Sequence, residues 1–310
     1  MTAAWRSEES ASFGVPKPEG VSISLVIPAL NEAANLPHVL TRIPTIVDEV
    51  LLVDGHSVDD TIAVARAIRP EIRVLLQRAR GKGDALACGF AAASGDIIVM
   101  LDADGSTDPA ELPRFVDALL NGNDFAKGSR FLEGGHSSDI TPVRATGNRL
   151  LNTAVNVLFR TRYTDLCYGY NAFWRRCLPH MPLTRSGFEV ETLIHIRIAR
   201  AGLRVTEVPS IEYERIHGES KLNAARDGVR ALSVIIRERL SSHRRMRGGE
   251  SEPQYLELPA TSNGNGNGLH PPTDAPLATD NRLSHGPLAE PRPSPEMTTL
   301  DPASASGPAV

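Results

Sequence analysis

Between Ile23 and Leu120 the chain alternates short apolar runs with amphipathic segments, and each apolar run ends in polar residues. Strand-sized runs fall at Ile23–Ile27, Glu49–Val53, Ile72–Leu76 and Ile97–Leu101. Helical patterns fall between and after them, over Glu32–Arg42, Asp59–Ala67, an Ala-rich stretch ending at Ala93, and Pro109–Leu120. Parallel strands need a long crossover, and a helix supplies it. The alternation therefore predicts an α/β fold, a parallel sheet with helices on both faces. Asp59 or Asp60 is placed to cap the second helix, and Asp108 the fourth, with Pro109 in its first turn.

Past Phe125 the alternation loosens. Helices are expected over Asn148–Phe159, Phe188–Ala201 and Leu222–Leu240, with strands over Asn171–Trp174 and Arg204–Val208. The two ends differ in composition. Residues 1–20 and 248–310 are rich in Pro, Gly, Ser and Asn or Glu and lack apolar periodicity, so both are expected to be disordered. One folded domain, 21–247, is left between them.

Composition narrows the class. At 41% hydrophobic and 23% charged the chain is globular, and a net charge of -4 argues against a general nucleic-acid partner. Cys88, Cys167 and Cys177 have neither zinc-type spacing nor the number a disulfide framework needs, which favours a reducing cytosol. Met1–Glu19 lacks the apolar centre of a secretion signal. No run approaches the roughly 20 apolar residues of a membrane-spanning helix. The expected location is cytoplasmic, with peripheral attachment to a membrane left open.

In an open parallel sheet, ligands bind beyond the carboxyl ends of the strands. Polar clusters stand there: Asn31 and Glu32 after Pro28-Ala29-Leu30, then Asp54-Gly55-His56-Ser57, then Gly81-Lys82-Gly83, and finally Asp102-Ala103-Asp104. Each has an ordinary alternative. Asn31 and Glu32 could start a helix, Asp54-Gly55 could be a turn, and Gly81-Lys82-Gly83 could be a surface loop. The glycines of that loop match neither the P-loop nor the Gly-x-Gly-x-x-Gly fingerprint, though they would let a backbone approach a ligand whose phosphates Lys82 could neutralise. Asp102 and Asp104 repel unless a proton or cation offsets them. Mg²⁺ or Mn²⁺ would do so, since both prefer carboxylate and phosphate oxygens.

The series Leu25-Val26-Ile27-Pro28-Ala29-Leu30-Asn31-Glu32, Val53-Asp54-Gly55-His56-Ser57-Val58-Asp59-Asp60-Thr61, Gly81-Lys82-Gly83 and Leu101-Asp102-Ala103-Asp104 resembles the family 2 glycosyltransferases. Within them it is most similar to the polyprenyl-phosphate (dolichyl-phosphate) mannosyl- and glucosyltransferases. The resemblance spans Val21 to Leu240. It implies the GT-A fold, a mostly parallel Rossmann-like sheet flanked by helices. It also implies transfer of a sugar from a nucleotide-sugar donor, such as GDP-mannose or UDP-glucose, with inversion and with Mg²⁺ or Mn²⁺.

Carried over by position, the resemblance places Pro28, Ala29, Asn31, Glu32, Asp54, Gly55, Lys82 and Gly83 around the nucleotide. It places Asp102 and Ala103 on the nucleotide sugar and Asp104 on the metal. Thr164-Asp165 with Gly169-Tyr170-Asn171-Ala172-Phe173 resembles the acceptor-side segment, where Cys167-Tyr168 is less typical. Gly187-Phe188-Glu189-Val190-Glu191 resembles the helix start that follows it. Arg215-Ile216-His217-Gly218-Glu219-Ser220-Lys221-Leu222 resembles the loop that closes over the diphosphate. Arg215 and Lys221 would there stabilise the leaving group, and Ser220 would stand on the acceptor side.

A lipid-phosphate acceptor is already anionic and needs no base. A hydroxyl acceptor would need one, with Asp165 or Glu189 as candidates. The Gln-x-x-Arg-Trp pattern of processive synthases is missing, which favours single transfer. A phosphatase would carry its Asp-x-Asp after the first strand, and a nucleotidyltransferase a Gly-rich loop there. A nucleotide-sugar-binding protein without catalysis would be expected to have lost the acidic pair. The last helix has Leu222, Ala225, Val229, Leu232 and Ile236 on one face, with Arg237, Arg239, Arg244, Arg245 and Arg247 following. That face either packs on the core or lies on an anionic membrane.

Overall fold

A computed structural model describes residues 19–183, 187, 189–218, 224–241 and 255–260. These lie within one unit, Met1–Asn263. Strands β1 (Ile23–Ala29), β2 (Glu49–Asp54), β3 (Arg73–Gln77) and β4 (Ile97–Met100) alternate with helices α1 (Leu36–Leu40), α2 (Thr61–Ile68) and α3 (Lys82–Ala92). Helix α4 (Leu112–Leu120), β5 (Phe125–Ser129), β6 (His136–Ser137) and α5 (Pro142–Phe159) follow. The chain continues through β7 (Asn171–Trp174), α6 (Val190–Arg200), β8 (Val205–Pro209), β9 (Ile211–Glu212), α7 (Ala224–Leu240) and β10 (Tyr255–Leu258).

The main sheet has eight strands in the order β10-β3-β2-β1-β4-β7-β5-β8, with β6 and β9 paired separately. Strands β1 to β4 are mutually parallel, with Val26 opposite both Leu51 and Met100. Such strands are covered on both faces and so are apolar throughout. Alternate residues enter different cores: Leu25 and Ile27 join Leu36, Leu40 and Phe115, whereas Val26 joins Leu86, Phe90 and Phe173. Helix α3 presses on β1 at Gly89, where a Cβ would collide with Val26 Cγ1 and meet Val53 Cγ2 at 3.1 Å. That contact fixes the N-terminus of α3, and so Lys82, above the strand ends.

Several elements differ from the sequence reading. The first helix is only Leu36–Leu40, because Glu32 O takes the amides of Asn35 and Leu36 in a turn. Glu32 N donates instead to Thr61 Oγ1. Of the two candidate caps for α2, Asp59 accepts from Thr61 N at 3.1 Å and also from Ala33 N. Asp108 does cap its helix, accepting from Ala110 N, but the first turn is a 3-10 turn over Pro109–Glu111. Helix α5 begins at Pro142 with Thr141 as its cap, six residues before the apolar periodicity starts at Asn148. Strand β5 was hidden from pattern reading by Lys127 and Gly128. Lys127 is fully buried and pairs with Glu207 at 3.0 Å.

The tail requires a correction. Tyr255–Leu258, inside the stretch expected to be disordered, is strand β10, antiparallel to β3 with Tyr255 opposite Gln77. Without it β3 would present an open edge. Arg73 donates to both oxygens of Glu257, at 2.8 and 2.9 Å. The other residues of both expected disordered ends lie almost wholly outside the described residues. Among the described residues no helix is long and apolar enough to cross a membrane.

Candidate active site

The carboxyl ends of β1 to β4 open into a cleft of about 880 Å³ whose opposite wall comes from α5, α7 and the start of α6. Pro28, Ala29, Glu32, Gly55 and Lys82 line the strand side, and Asp102, Ala103 and Asp104 form its centre.

Lys82 Nζ lies 2.6 Å from Asp102 Oδ1 and 2.7 Å from Glu191 Oε1. Burial alone would lower its pKa, but the two carboxylates outweigh burial and the net shift is upward. Glu191 is shifted upward too, because its burial outweighs the pull of Lys82. Gly169 makes the pairing possible: a Cβ there would sit 2.8 Å from Asp102 Oδ2 and 3.1 Å from Lys82 Nζ.

Asp104 Oδ2 receives Arg215 Nη2 at 2.9 Å, and Arg215 Nη1 reaches Glu32 Oε1 at 3.3 Å. Burial raises the pKa of Glu32, opposed by the Asn35 hydrogen bond and Arg215 and reinforced by Asp104 and Asp102. The loop carrying Arg215 is held at both ends. Tyr213 N donates to Ser106 O at 2.7 Å, and His217 N donates to Asn35 Oδ1 at 2.9 Å. Gly105, at φ +73°, leaves room for Ile216, whose Cδ1 would otherwise lie 2.8 Å from a Cβ.

Among the described residues, Glu32, Asp102, Asp104 and Glu191 pair with two cations, Lys82 and Arg215. Such an excess of hard oxygen donors suits a divalent cation. Among the described residues no three His, Cys, Asp or Glu side chains are grouped to hold a metal by themselves. One or two carboxylates with the balance from a bound diphosphate is the usual arrangement for Mg²⁺.

Not every residue expected around the nucleotide reaches the cleft wall. Asn31 does not line it. At φ 59° it ties two loops together, donating from its backbone to Ser57 Oγ and accepting from Val58 N. Gly83 is buried inside α3, and the glycine whose conformation the loop requires is Gly81, at φ +99°. Asp54 is 1% exposed, and one oxygen accepts from Ser57 N while Oδ1 is buried with no partner among the described residues.

Gln77, not anticipated from sequence, lines the cleft with a buried Oε1 that also lacks a partner. Unpaired buried acceptors cost about 1–3 kcal/mol each, so two at adjacent strand ends mark a place for ligand donors. The available signal was a polar residue closing the run Val74-Leu75-Leu76, just as Asp54 closes the run before it.

On the helix side, Asp165 is taken up by an ion pair and does not face the cleft. It is fully buried. Its oxygens accept from Arg130 Nε, Nη2 and backbone N and from Asn148 Nδ2. Burial would raise its pKa, but Arg130 and Lys127 outweigh burial and the carboxyl lies below its usual range. Asp165 therefore positions Arg130, which lines the cleft and also pairs with Glu212 at 2.9 Å.

Glu189 does face the cleft, and its buried Oε2 has no partner among the described residues. Cys167, exposed to the cleft, lines it as well. Ser220 and Lys221 lie outside the described residues.

Residues 24–180 match the model of glycosyl transferase family 2. The chain is 31% identical over 220 residues to glycosyltransferase AglJ of Haloferax volcanii, covering 69% of this chain and 70% of that protein. It is 30% identical over 215 residues to the dolichol-phosphate mannosyltransferase of Pyrococcus furiosus, covering 65% of this chain and 59% of that one. This chain thus spans about three fifths of the Pyrococcus protein. Its fold is similar to glucosyl-3-phosphoglycerate synthase from Mycobacterium tuberculosis, crystallised with Mn²⁺, UDP and phosphoglyceric acid. That match has a TM-score of 0.57 and 25% identity, covering 71% of this chain and 79% of the other.

Proposed function

The chain belongs to glycosyl transferase family 2, and from that premise we propose that it moves a hexose from a nucleoside-diphosphate sugar to a polyprenyl phosphate. The observation that carries the acceptor class is the composition of the helix-side wall. Arg144, paired with Asp139, and Arg230, paired with Asp227, stand there beside Val143, Leu151 and Ala231. Cations next to apolar side chains suit an anionic headgroup with a hydrocarbon tail. The names of relatives such as the Pyrococcus dolichol-phosphate mannosyltransferase agree with that class.

The strand side then takes the donor. Gly55, Gln77 and the edge of Asp54 receive the base and ribose, Pro28, Ala29 and Lys82 flank the nucleotide, and Asp102 and Ala103 contact the sugar. Asp104 would hold Mg²⁺ or Mn²⁺, which would supply positive charge to offset that growing on the diphosphate. Arg215, now paired with Asp104 and Glu32, is positioned to transfer its hydrogen bonds to the same phosphates. The acceptor phosphate oxygen forms the new bond to the anomeric carbon as the bond to the donor phosphate breaks, with inversion. The nucleoside diphosphate leaves with the electron pair. An anionic acceptor has no proton to lose, so the burial of Asp165 takes nothing from this route. Because the acceptor is a bilayer lipid, the reading places the protein at the cytoplasmic face of a membrane.

A hydroxyl acceptor is the second reading, and the unpartnered Glu189 Oε2 favours it as a place for a base. Purified protein is incubated with UDP-glucose or GDP-mannose, Mg²⁺ or Mn²⁺, and either a polyprenyl phosphate or phosphoglyceric acid. Glycolipid formation that chelator abolishes is expected. Transfer to the hydroxyl acid with none to the lipid phosphate would overturn the first reading in favour of the second.

A further inference from the structure

Helices α5 and α7 lie side by side over the core formed by Val155, Leu193, Ile196, Val234 and Ile235. Their outer faces are also apolar. Leu150 and Val157 on α5, and Val229, Leu232, Ile236 and Leu240 on α7, are 43% to 80% exposed. At 100° per residue Leu150 and Val157 lie opposite the buried Asn152 and Val155 on α5, and Val229, Ile236 and Leu240 lie opposite the buried Asp227, Val234 and Glu238 on α7, with Leu232 at the edge of the stripe. The apolar stripe read from the sequence of the last helix is therefore, at Val229, Leu232 and Ile236, the outward face and not the core face.

The exposed charge of the two helices has one sign. Helix α5 contains no Asp or Glu. The acids of α7, Asp227 and Glu238, are 7% and 6% exposed and are paired with arginines. The exposed charged side chains of the two helices are arginines, among them Arg149, Arg237 and Arg239. In a protein of net charge -4 such a face departs from the background. An apolar stripe flanked by arginines, with no exposed acid on either helix, complements the surface of an anionic bilayer. The cleft opens at the same place, since Val143 and Arg144 of α5 and Arg230 of α7 line it.

We propose that α5 and α7 together form the face by which the protein lies on an anionic membrane, with the helix-side end of the cleft turned toward the lipid. The proposal deepens the polyprenyl-phosphate reading, but its test omits that lipid. The full chain is sedimented with vesicles of phosphatidylcholine alone and with vesicles containing phosphatidylglycerol. Binding to the second is expected, weakening as salt rises.

Leu150→Asp combined with Ile236→Asp replaces exposed residues that do not line the cleft. The pair should weaken vesicle binding by about tenfold or more, with melting temperature and transfer to a water-soluble short-chain acceptor phosphate unchanged. Arg237→Glu with Arg239→Glu should weaken binding to the anionic vesicles selectively. Failure of the parent chain to bind, or equal binding by all variants, overturns the proposal. So does a dimer that the Asp variants split while vesicle binding stays the same, since the stripe would then join two copies. Vesicle binding without glycolipid synthesis overturns the acceptor reading and leaves this face intact. Glycolipid synthesis in detergent by a chain that ignores vesicles does the reverse.

Discussion

The two walls of the cleft are built by different means. On the strand side, the wall residues end or follow parallel strands, so residues close in sequence are close in space: Asp102 to Asp104, or Pro28 to Glu32. On the helix side, the wall depends on contacts between distant segments, with Arg130 joining Asp165 to Glu212. The strand side offers carboxylates and cations held to one geometry, which charge-stabilising chemistry requires. The helix side sets arginines among apolar side chains, and under the proposed reading it would take the acceptor. If this division is right, substitutions on the helix side should first cost stability and those on the strand side should first cost rate.

The largest expected effect is therefore on folding. Asp165→Ala leaves the buried Arg130 guanidinium without its main partner and should destabilise the protein by about 3–5 kcal/mol at neutral pH, read by urea unfolding. The pH dependence has a definite sign. The native pKa of Asp165 lies below its ordinary value, so its contribution is complete above the unfolded carboxyl pKa. It fades as pH falls through the native one. Parent and variant stabilities should converge in acid. A variant as stable as the parent, yet inactive, would return Asp165 to the chemistry and erase the distinction between the walls.

Asp104→Ala tests the other wall. Transfer should fall by about a hundredfold to a thousandfold, the scale for losing one preorganised charge-stabilising group. Melting temperature should hold, because Asp104 is paired at the cleft surface with Arg215 and not within the core. A drop in melting temperature comparable to that of Asp165→Ala, with rate unchanged, would invert the comparison.

The same contrast explains what could be read from sequence. Strands β1 to β4 were legible because both faces are buried and every residue obeys the pattern. The acidic pair was legible because it breaks that pattern at a strand end. Gln77 follows the same rule and was missed only because an amide carries less chemical signal than a carboxylate. Strand β5 was illegible because Lys127 is neutralised by Glu207, eighty residues away. The role of Asp165 was illegible for the same reason, since the motif shows an acid but not the arginine that occupies it. Outward Val229 and Ile236 could not be told from inward Val234 and Ile235 by periodicity, because α7 is apolar on two sides.

The smallest expected effect concerns β10, which lies beyond both walls but touches one of them through its pairing with Gln77. Tyr255 packs against the core beneath α3, and Leu258 against the core on the other face of the sheet. The Arg73–Glu257 pair is partly exposed, at 32% and 41%, and solvent screening holds such a pair to about 1 kcal/mol or less. A chain ending at Ala260 keeps β10, and one ending at Gly249 loses it. The difference between the two should be about 1–2 kcal/mol in unfolding free energy, with a weaker donor KM as Gln77 loses its neighbour. Equal stability and equal KM would mean that the strand side is complete without the tail. A change in KM alone would make β10 part of the donor wall.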